Sequence, residues 1–363
     1  MTTVAVLGAG AGGAAAVAEL SARGHRLRLW NRSAETLRPF QDAGGVAYTG
    51  VLGKGKAVPE AITDDLGAAL AGAEVALVCL PTMVLADVAR ALIDAGAPDI
   101  PIVLNPGHTG GALEFHAVYT AAGQPAPPIA EFSTLTYIAR KYTPDEVTVT
   151  LAANHIWVAA MPGGAPALAA AEELYPVAEA AGDVLATSLA NVNLVLHPPG
   201  AVLGAAWVEA TQGDFTFYVE GMTPGVARVM GALDAERLAV ARAFGHDLPP
   251  LVAEMAAIGT VEAGDAADGD IARAVGGGRA NAKIKAPDSF QHRYYREDFG
   301  HGLMPFLALA EAAGIETPVA AALMRLGIAL VGPELAERGR GAAAMGIAGL
   351  DRDGVRDHVG GAR

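Results

Sequence analysis

Residues 3–33 restrict the start of this chain to one arrangement: strand, glycine-rich turn, helix, strand. Thr3-Val4-Ala5-Val6-Leu7 reads as a buried strand that runs straight into Gly8-Ala9-Gly10-Ala11-Gly12-Gly13. An alanine-rich helix follows and stops near Gly24, and a second strand, Arg26-Leu27-Arg28-Leu29-Trp30, ends in Asn31-Arg32-Ser33. A bare G-x-G-x-x-G carries little weight in a chain with 45 glycines; its place between a strand and a helix gives it meaning. Gly8 allows the tight turn, Gly10 lets a pyrophosphate approach the backbone, and Gly13 lets helix and strand pack closely. The helix N-terminus offers unpaired N–H groups and a partial positive charge to the phosphates.

The end of the second strand bears on which dinucleotide is held. NAD sites usually carry Asp or Glu there, about 20 residues past the glycines, to accept from the ribose 2′-hydroxyl. Here the positions are Asn31, Arg32 and Ser33. A neutral amide beside a guanidinium and a hydroxyl suits a 2′-phosphate, which Arg pairs with in a bidentate, charge-assisted way. NADP is therefore the expected cofactor, with NAD as the alternative.

At 363 residues the chain exceeds one ordinary domain, and 52% hydrophobic against 18% charged residues supply a large core. No uninterrupted apolar run of membrane length occurs, and Met1-Thr2-Thr3 leads almost at once into the first strand, so the reading is of a cytoplasmic protein without signal peptide or membrane span. Cys79 stands alone in an apolar strand, which leaves no intrachain disulfide or cysteine metal site. A net charge of −14 without a basic stripe argues against a nucleic-acid partner. Small anionic substrates stay open, because local cations hold them.

Strand and helix signals alternate through the first half, as in a parallel sheet wrapped by helices. Glu74 to Leu80 is an apolar run closed by Pro81, and Ile100 to Leu104 is followed by the loop Asn105-Pro106-Gly107-His108-Thr109-Gly110-Gly111. Ligands of such sheets lie beyond the carboxyl ends of the strands, so Leu80, Pro81 and Gly107 are expected to border the cofactor. Ile129-Ala130-Glu131-Phe132 starts a further strand, and the runs Val147–Leu151 and Ile156–Ala160 predict a hairpin around Asn154. A helix from about Pro166 to Ala181 and a short strand near Val184 complete this half.

Past Asn191, apolar residues at three- and four-residue spacing predict helices over Val226–Phe244, Leu303–Ala312 and Pro318–Val331, with Gly259–Pro287 as a long irregular excursion. The fold class is a Rossmann-type doubly wound α/β sheet over residues 1–187, followed by an all-α domain over 188–363.

Hydride transfer needs a group that gives or takes a proton, and histidine is the commonest choice. Of nine histidines, His108 lies in a glycine-rich loop after a sheet strand, within reach of a nicotinamide. His197 closes the apolar run from Asn191 and precedes Pro198-Pro199-Gly200, read as a helix break at the opening of the helical half. A second cluster, Gln291 to Leu303, interleaves cations, carboxylates and aromatics before an apolar helix. Asp298 borders a Phe-Gly turn that can bury it, and a buried carboxylate beside an imidazole fixes its tautomer.

The chain resembles the opine dehydrogenases, the octopine/nopaline dehydrogenase family, along nearly its full length. The resemblance rests on the glycine fingerprint, Glu131 to Arg140, Asn191 to Pro198, Phe217 to Pro224 followed by Leu233 to Arg237, and Arg293 to Leu303. It implies reductive condensation of an amino acid or amine with a 2-oxo acid, and a His–Asp dyad, here His197 and Asp298, in the cleft between the two domains. It also implies that Arg293 holds a substrate carboxylate, and that Thr134, Tyr137 and Arg140 belong to the segment facing the nicotinamide and the oxo acid. Two departures fall beside the substrate: Leu135-Thr136-Tyr137 where the family usually reads closer to Leu-Pro-Tyr, and Asp298-Phe299-Gly300 where it commonly reads Asp-Val-Pro.

Two other readings stand beside this one. A 2-oxo acid reductase of ketopantoate type needs no amine and usually offers a catalytic lysine in the helical half; Lys283 and Lys285 are the only lysines past Lys141. A catalytically silent nucleotide-binding protein would keep the fold alone. The apolar helix faces suit a homodimer.

Overall fold

The computed structural model describes residues 1–360 apart from Pro98, Asp268 and Ala280. The chain divides into two compact units. The first holds Met1–Gly107 and Gly111–Val184; the second holds His108–Gly110 and Leu185 onward.

Among the described residues the first unit holds twelve strands: β1 Thr3–Leu7, β2 Arg26–Trp30, β3 Val46–Gly50, β4 Gly55–Ala57, β5 Ala61–Thr63, β6 Val75–Val78, β7 Ile102–Leu104, β8 Ile129–Phe132, β9 Tyr137–Thr143, β10 Glu146–Ala152, β11 Ile156–Ala160 and β12 Ala178–Ala180. Eight of them form the main sheet in the order β12-β11-β8-β7-β6-β1-β2-β5. Its central strands are parallel, so the loops after β1, β6, β7 and β8 emerge along one edge. β1, β6, β7 and β8 are buried along their whole length, as expected of strands covered on both faces. Helix α1, Ala11–Ala22, starts in the glycine turn, and α2, Ala34–Ala43, follows β2.

Three expectations for this half fail. The predicted hairpin between Val147–Leu151 and Ile156–Ala160 does not form. β10 instead pairs with β9 in a separate four-stranded sheet, β4-β3-β10-β9, while β11 joins β8 in the main sheet. The decisive signal was Pro144-Asp145, a two-residue turn at which β9 folds back onto β10. The helix after β11 ends at Leu174, not near Ala181, because Tyr175 precedes Pro176 and is biased away from helical backbone. The short strand accordingly comes early, at Ala178–Ala180, and Val184 begins a helix.

Among the described residues the second unit holds helices and one isolated bridge, Thr216 to Lys285, but no strand. Helices Pro224–Phe244, Met304–Ala313 and Pro318–Val331 match their apolar periodicity. The excursion Gly259–Pro287 contains two short helices, Ala263–Ala266 and Ile271–Gly277; the second is capped by the Asp270 carboxylate, which accepts from the Arg273 amide.

His197-Pro198-Pro199-Gly200 does not break a helix: all four residues lie inside Val192–Leu203. Two prolines remove two helical hydrogen bonds. Burial from Leu194 to Ala201 outweighs that loss, as tertiary packing routinely overrides propensity. Gly200 has its own reason, since a Cβ there would lie 2.7 Å from the Phe217 ring.

Candidate active site

The three fingerprint glycines answer to three constraints. Gly8 has φ +122°, and a Cβ on it would sit 2.4 Å from the Cys79 carbonyl oxygen. A Cβ on Gly13 would fall 1.8 Å from the Gly8 carbonyl oxygen, so helix and turn touch backbone to backbone. Around Gly10 a Cβ would meet nothing within 4 Å. No packing in the chain explains that glycine, whereas a pyrophosphate drawn to the first amides of α1 does. The residues present fit a dinucleotide.

Asn31 serves the turn itself: its Oδ1 accepts from the Ala9 amide at 3.2 Å, and its Nδ2 donates to the Ser33 carbonyl at 3.4 Å. The Ser33 hydroxyl oxygen caps α2 by accepting from the Thr36 amide, which leaves its proton available to a ligand. Arg32 is exposed and makes no hydrogen bond or ion pair among the described residues. Leu80 packs against Gly8, with Cγ and Cδ2 2.9 Å from where a Cβ would lie, and the exposed Pro81 opens the next turn.

Gly107 is held to glycine by its own unit. A Cβ there would strike the buried Glu131 carboxylate at 1.9 Å. Its N–H donates to Phe132 and its carbonyl accepts from Thr82, so both its backbone groups are spent inside the unit. The half-buried Thr134 lies beside Leu135, whose Cδ1 is 3.2 Å from a Cβ placed on Gly12. The same loop is tied to the loop after β7, since Asn105 both donates to the Thr136 hydroxyl and accepts from the Thr136 amide.

Tyr137 is not free to bind a substrate. Its hydroxyl donates to Glu19 at 2.7 Å and lies 3.2 Å from the Tyr175 hydroxyl, in the interior of the first unit. Arg140 stands on β9 in the four-stranded sheet, with its guanidinium donating to the Ala139 carbonyl at 2.9 Å.

The second unit brings His197 and Asp298 together, 101 residues apart in sequence. Nδ1 lies 2.7 Å from Oδ2, and the two residues are 2% and 4% exposed. The other ring nitrogen, Nε2, is 2.7 Å from the Tyr218 hydroxyl, which lies 3.4 Å from that of Tyr294. The Tyr294 ring stacks on the imidazole at 3.8 Å and 21°, and Phe217 meets it edge-on. Both ring nitrogens and one face of His197 are thus held.

Asp298 closes the helix Arg293–Asp298, and a π-helical turn, Phe299–Leu303, follows; such turns favour functional sites. Burial holds the His197 imidazole well below the usual histidine range, with Arg293 adding to the effect and Glu297 opposing it. Burial likewise pushes the Asp298 carboxyl well above its ordinary range, helped by Glu297 and opposed by His108 and Arg293. The arrangement suits a neutral imidazole that donates from Nδ1 to the Asp298 carboxylate and accepts at Nε2 from the phenol.

Arg293 is half exposed, with its guanidinium 3.9 Å from Glu297 and 5.6 Å over the Tyr294 ring. His108 belongs to this cluster: it is buried in the left-handed region at φ 59°, with Nε2 3.9 Å from Glu297. His301 lies on the π-helical turn, its buried Nδ1 unpaired and its imidazole pushed down to about 3 by burial. Lys283 and Lys285, the lysines that the reductase alternative has in the helical half, are both exposed, and Lys285 pairs with Asp214 at 2.7 Å. Sequence reasoning gave Tyr218 and Tyr294 no role; the signal for Tyr294 was the interleaving of aromatics with charged residues from Gln291 to Leu303, and Tyr218 had none of that kind.

A family described as NAD/NADP octopine/nopaline dehydrogenase, alpha-helical domain, matches residues 180–331, and one described as ketopantoate reductase PanE/ApbA matches residues 4–105. An opine dehydrogenase of Arthrobacter sp. (strain 1C) is 34% identical over 359 residues, covering 98% of each chain. The fold is that of octopine dehydrogenase solved with NADH and agmatine, at a TM-score of 0.78 and 21% identity over 100% of this chain and 99% of that one. Yersinopine dehydrogenase with NADP+ bound superposes at a TM-score of 0.71 and 18% identity, over 99% and 98% of the two chains. With a relative 34% identical along 98% of its length, the chain belongs to the opine dehydrogenases, NAD(P)-dependent oxidoreductases acting on CH–NH bonds.

Proposed function

We propose that the chain catalyses NADPH-dependent reductive condensation of an amino acid or related amine with a 2-oxo acid through an imine. The observation that carries this reading is the buried His197–Asp298 pair, 2.7 Å apart, within the unit that matches the helical dehydrogenase domain. Solved relatives of the same fold hold agmatine, L-arginine or pyruvate, which supports an amine and an oxo acid as the two reactants.

Bound at the glycine turn, NADPH supplies the hydride. Arg293, half exposed and only loosely held by Glu297, docks the oxo-acid carboxylate. His197, neutral because it is buried, takes one proton from the substrate ammonium; the freed amine attacks the carbonyl to give a carbinolamine. The same imidazole returns that proton to the departing hydroxyl, which leaves as water. Asp298 stabilises the imidazolium between these two steps. Thr134, beside Leu135 in the loop that packs on Gly12 of α1, would face a bound nicotinamide.

The test is NADPH oxidation with a panel of 2-oxo acids, with and without amines. Consumption that requires both reactants supports the reading; equal consumption without any amine overturns it in favour of a simple reductase. Arg32→Glu should weaken NADPH binding by roughly 10- to 100-fold in a fluorescence titration and leave NADH nearly unchanged, as befits loss of a charge-assisted phosphate contact. Equal loss for both dinucleotides removes the role given to Arg32.

A further inference from the structure

The proposed reaction needs the lone pair of His197 Nε2, and that nitrogen is already engaged by the Tyr218 hydroxyl at 2.7 Å. With Nδ1–H given to Asp298, a neutral imidazole has only one nitrogen left to accept, and a phenol is a suitable donor to it. Tyr218 is buried and packs edge-on against Phe217, which itself meets the imidazole; Gly200 makes room for Phe217. Tyr294 covers one face of the imidazole and approaches the Tyr218 oxygen at 3.4 Å. The phenol, the carboxylate and the stacked ring therefore fix the imidazole's direction and tilt.

We propose that Tyr218 is the positioning residue of the acid–base centre: its phenol holds His197 as the Nδ1–H tautomer and covers the Nε2 lone pair until a substrate N–H or O–H takes its place. This rests on the reaction proposed above, but its physical core, a phenol donating to Nε2, can be tested whether or not a substrate is known. The charged groups acting on the ring are Asp298 by contact, and Arg293 and Glu297 from the same short helix; Tyr294 is the second phenol against it. A hydrogen bond donated to the neutral form lowers a base's pKa, so a phenol donating to Nε2 acts in the same direction as burial does. Burial also raises the Tyr218 hydroxyl well above its ordinary range, which keeps it a protonated donor.

The experiment follows the His197 ring nitrogens by NMR in histidine-labelled protein, assigned with His197→Asn, alongside the pH dependence of turnover. Wild type should show Nδ1 protonated and Nε2 as a bare acceptor. In Tyr218→Phe the His197 titration, and with it the acid limb of kcat, should move upward by about one pH unit. kcat should fall roughly tenfold without a rise in the KM for the amine, and NADPH affinity should hold. Should the phenylalanine variant fail to fold, 3-fluorotyrosine at position 218 keeps the hydroxyl and makes it a stronger donor, and the titration should move downward instead. An Nε2-protonated ring in wild type, or a titration unmoved by either change, overturns the role of Tyr218. Absence of amine-dependent turnover in wild type overturns the reaction and leaves the NMR result to decide Tyr218 by itself.

Discussion

Replacing His197 with alanine should lower turnover by about 10²–10⁴-fold, the usual contribution of a positioned acid–base group, while NADPH binds as in wild type. The two readouts separate because the glycine turn, Asn31 and Arg32 belong to the first unit and His197 to the second. Single-turnover NADPH oxidation at saturating amine and oxo acid measures the first, and a fluorescence titration of the cofactor the second. The pH profile gives an independent check. His197 works as a base only when neutral, and burial depresses its pKa, so the acid limb of wild-type kcat should lie below the ordinary histidine value of about 6.5. That limb should vanish in the alanine variant. Unchanged turnover would remove His197 from the chemistry.

What the sequence revealed, and what it hid, follows the range of the interactions concerned. The glycine turn was legible because its constraints are local: a positive φ at Gly8, the Gly13 approach to the Gly8 carbonyl, and an open Gly10 all lie within six residues. Helix Pro318–Val331 was legible because one face repeats along it. The four-stranded sheet was not, because β3 pairs with β10, a hundred residues away, and neither strand signals its partner. What makes position 107 a glycine was hidden for the same reason: the constraint comes from the Glu131 side chain, 24 residues away. His197 and Asp298 were each singled out locally, by an apolar run and by a turn that can bury a carboxylate, but the family resemblance paired them, since nothing local to either names the other. Tyr218 and Tyr294 meet the imidazole only after a helix that carries two prolines has folded, and propensity argues against that helix.

Asp298→Asn should lower turnover by on the order of 10³–10⁴-fold although it changes neither the size nor the shape of the side chain, because loss of the orienting carboxylate leaves the ring free to adopt the wrong tautomer. An amide can donate to Nδ1 as readily as it accepts, and a ring bonded that way carries its proton on Nε2, where the base should be bare. Folding should survive: the amide fills the same volume, and thermal unfolding should stay close to wild type. Asp298→Ala, by contrast, leaves a buried Nδ1–H unpaired, at a cost of about 1–3 kcal/mol. The sharpest comparison is the double variant. Residues that act as one unit are not additive, so His197→Ala with Asp298→Asn should be about as slow as His197→Ala alone. A double variant slower by the full product of both losses would mean that Asp298 acts on the substrate independently of the imidazole, and the dyad would have to be abandoned.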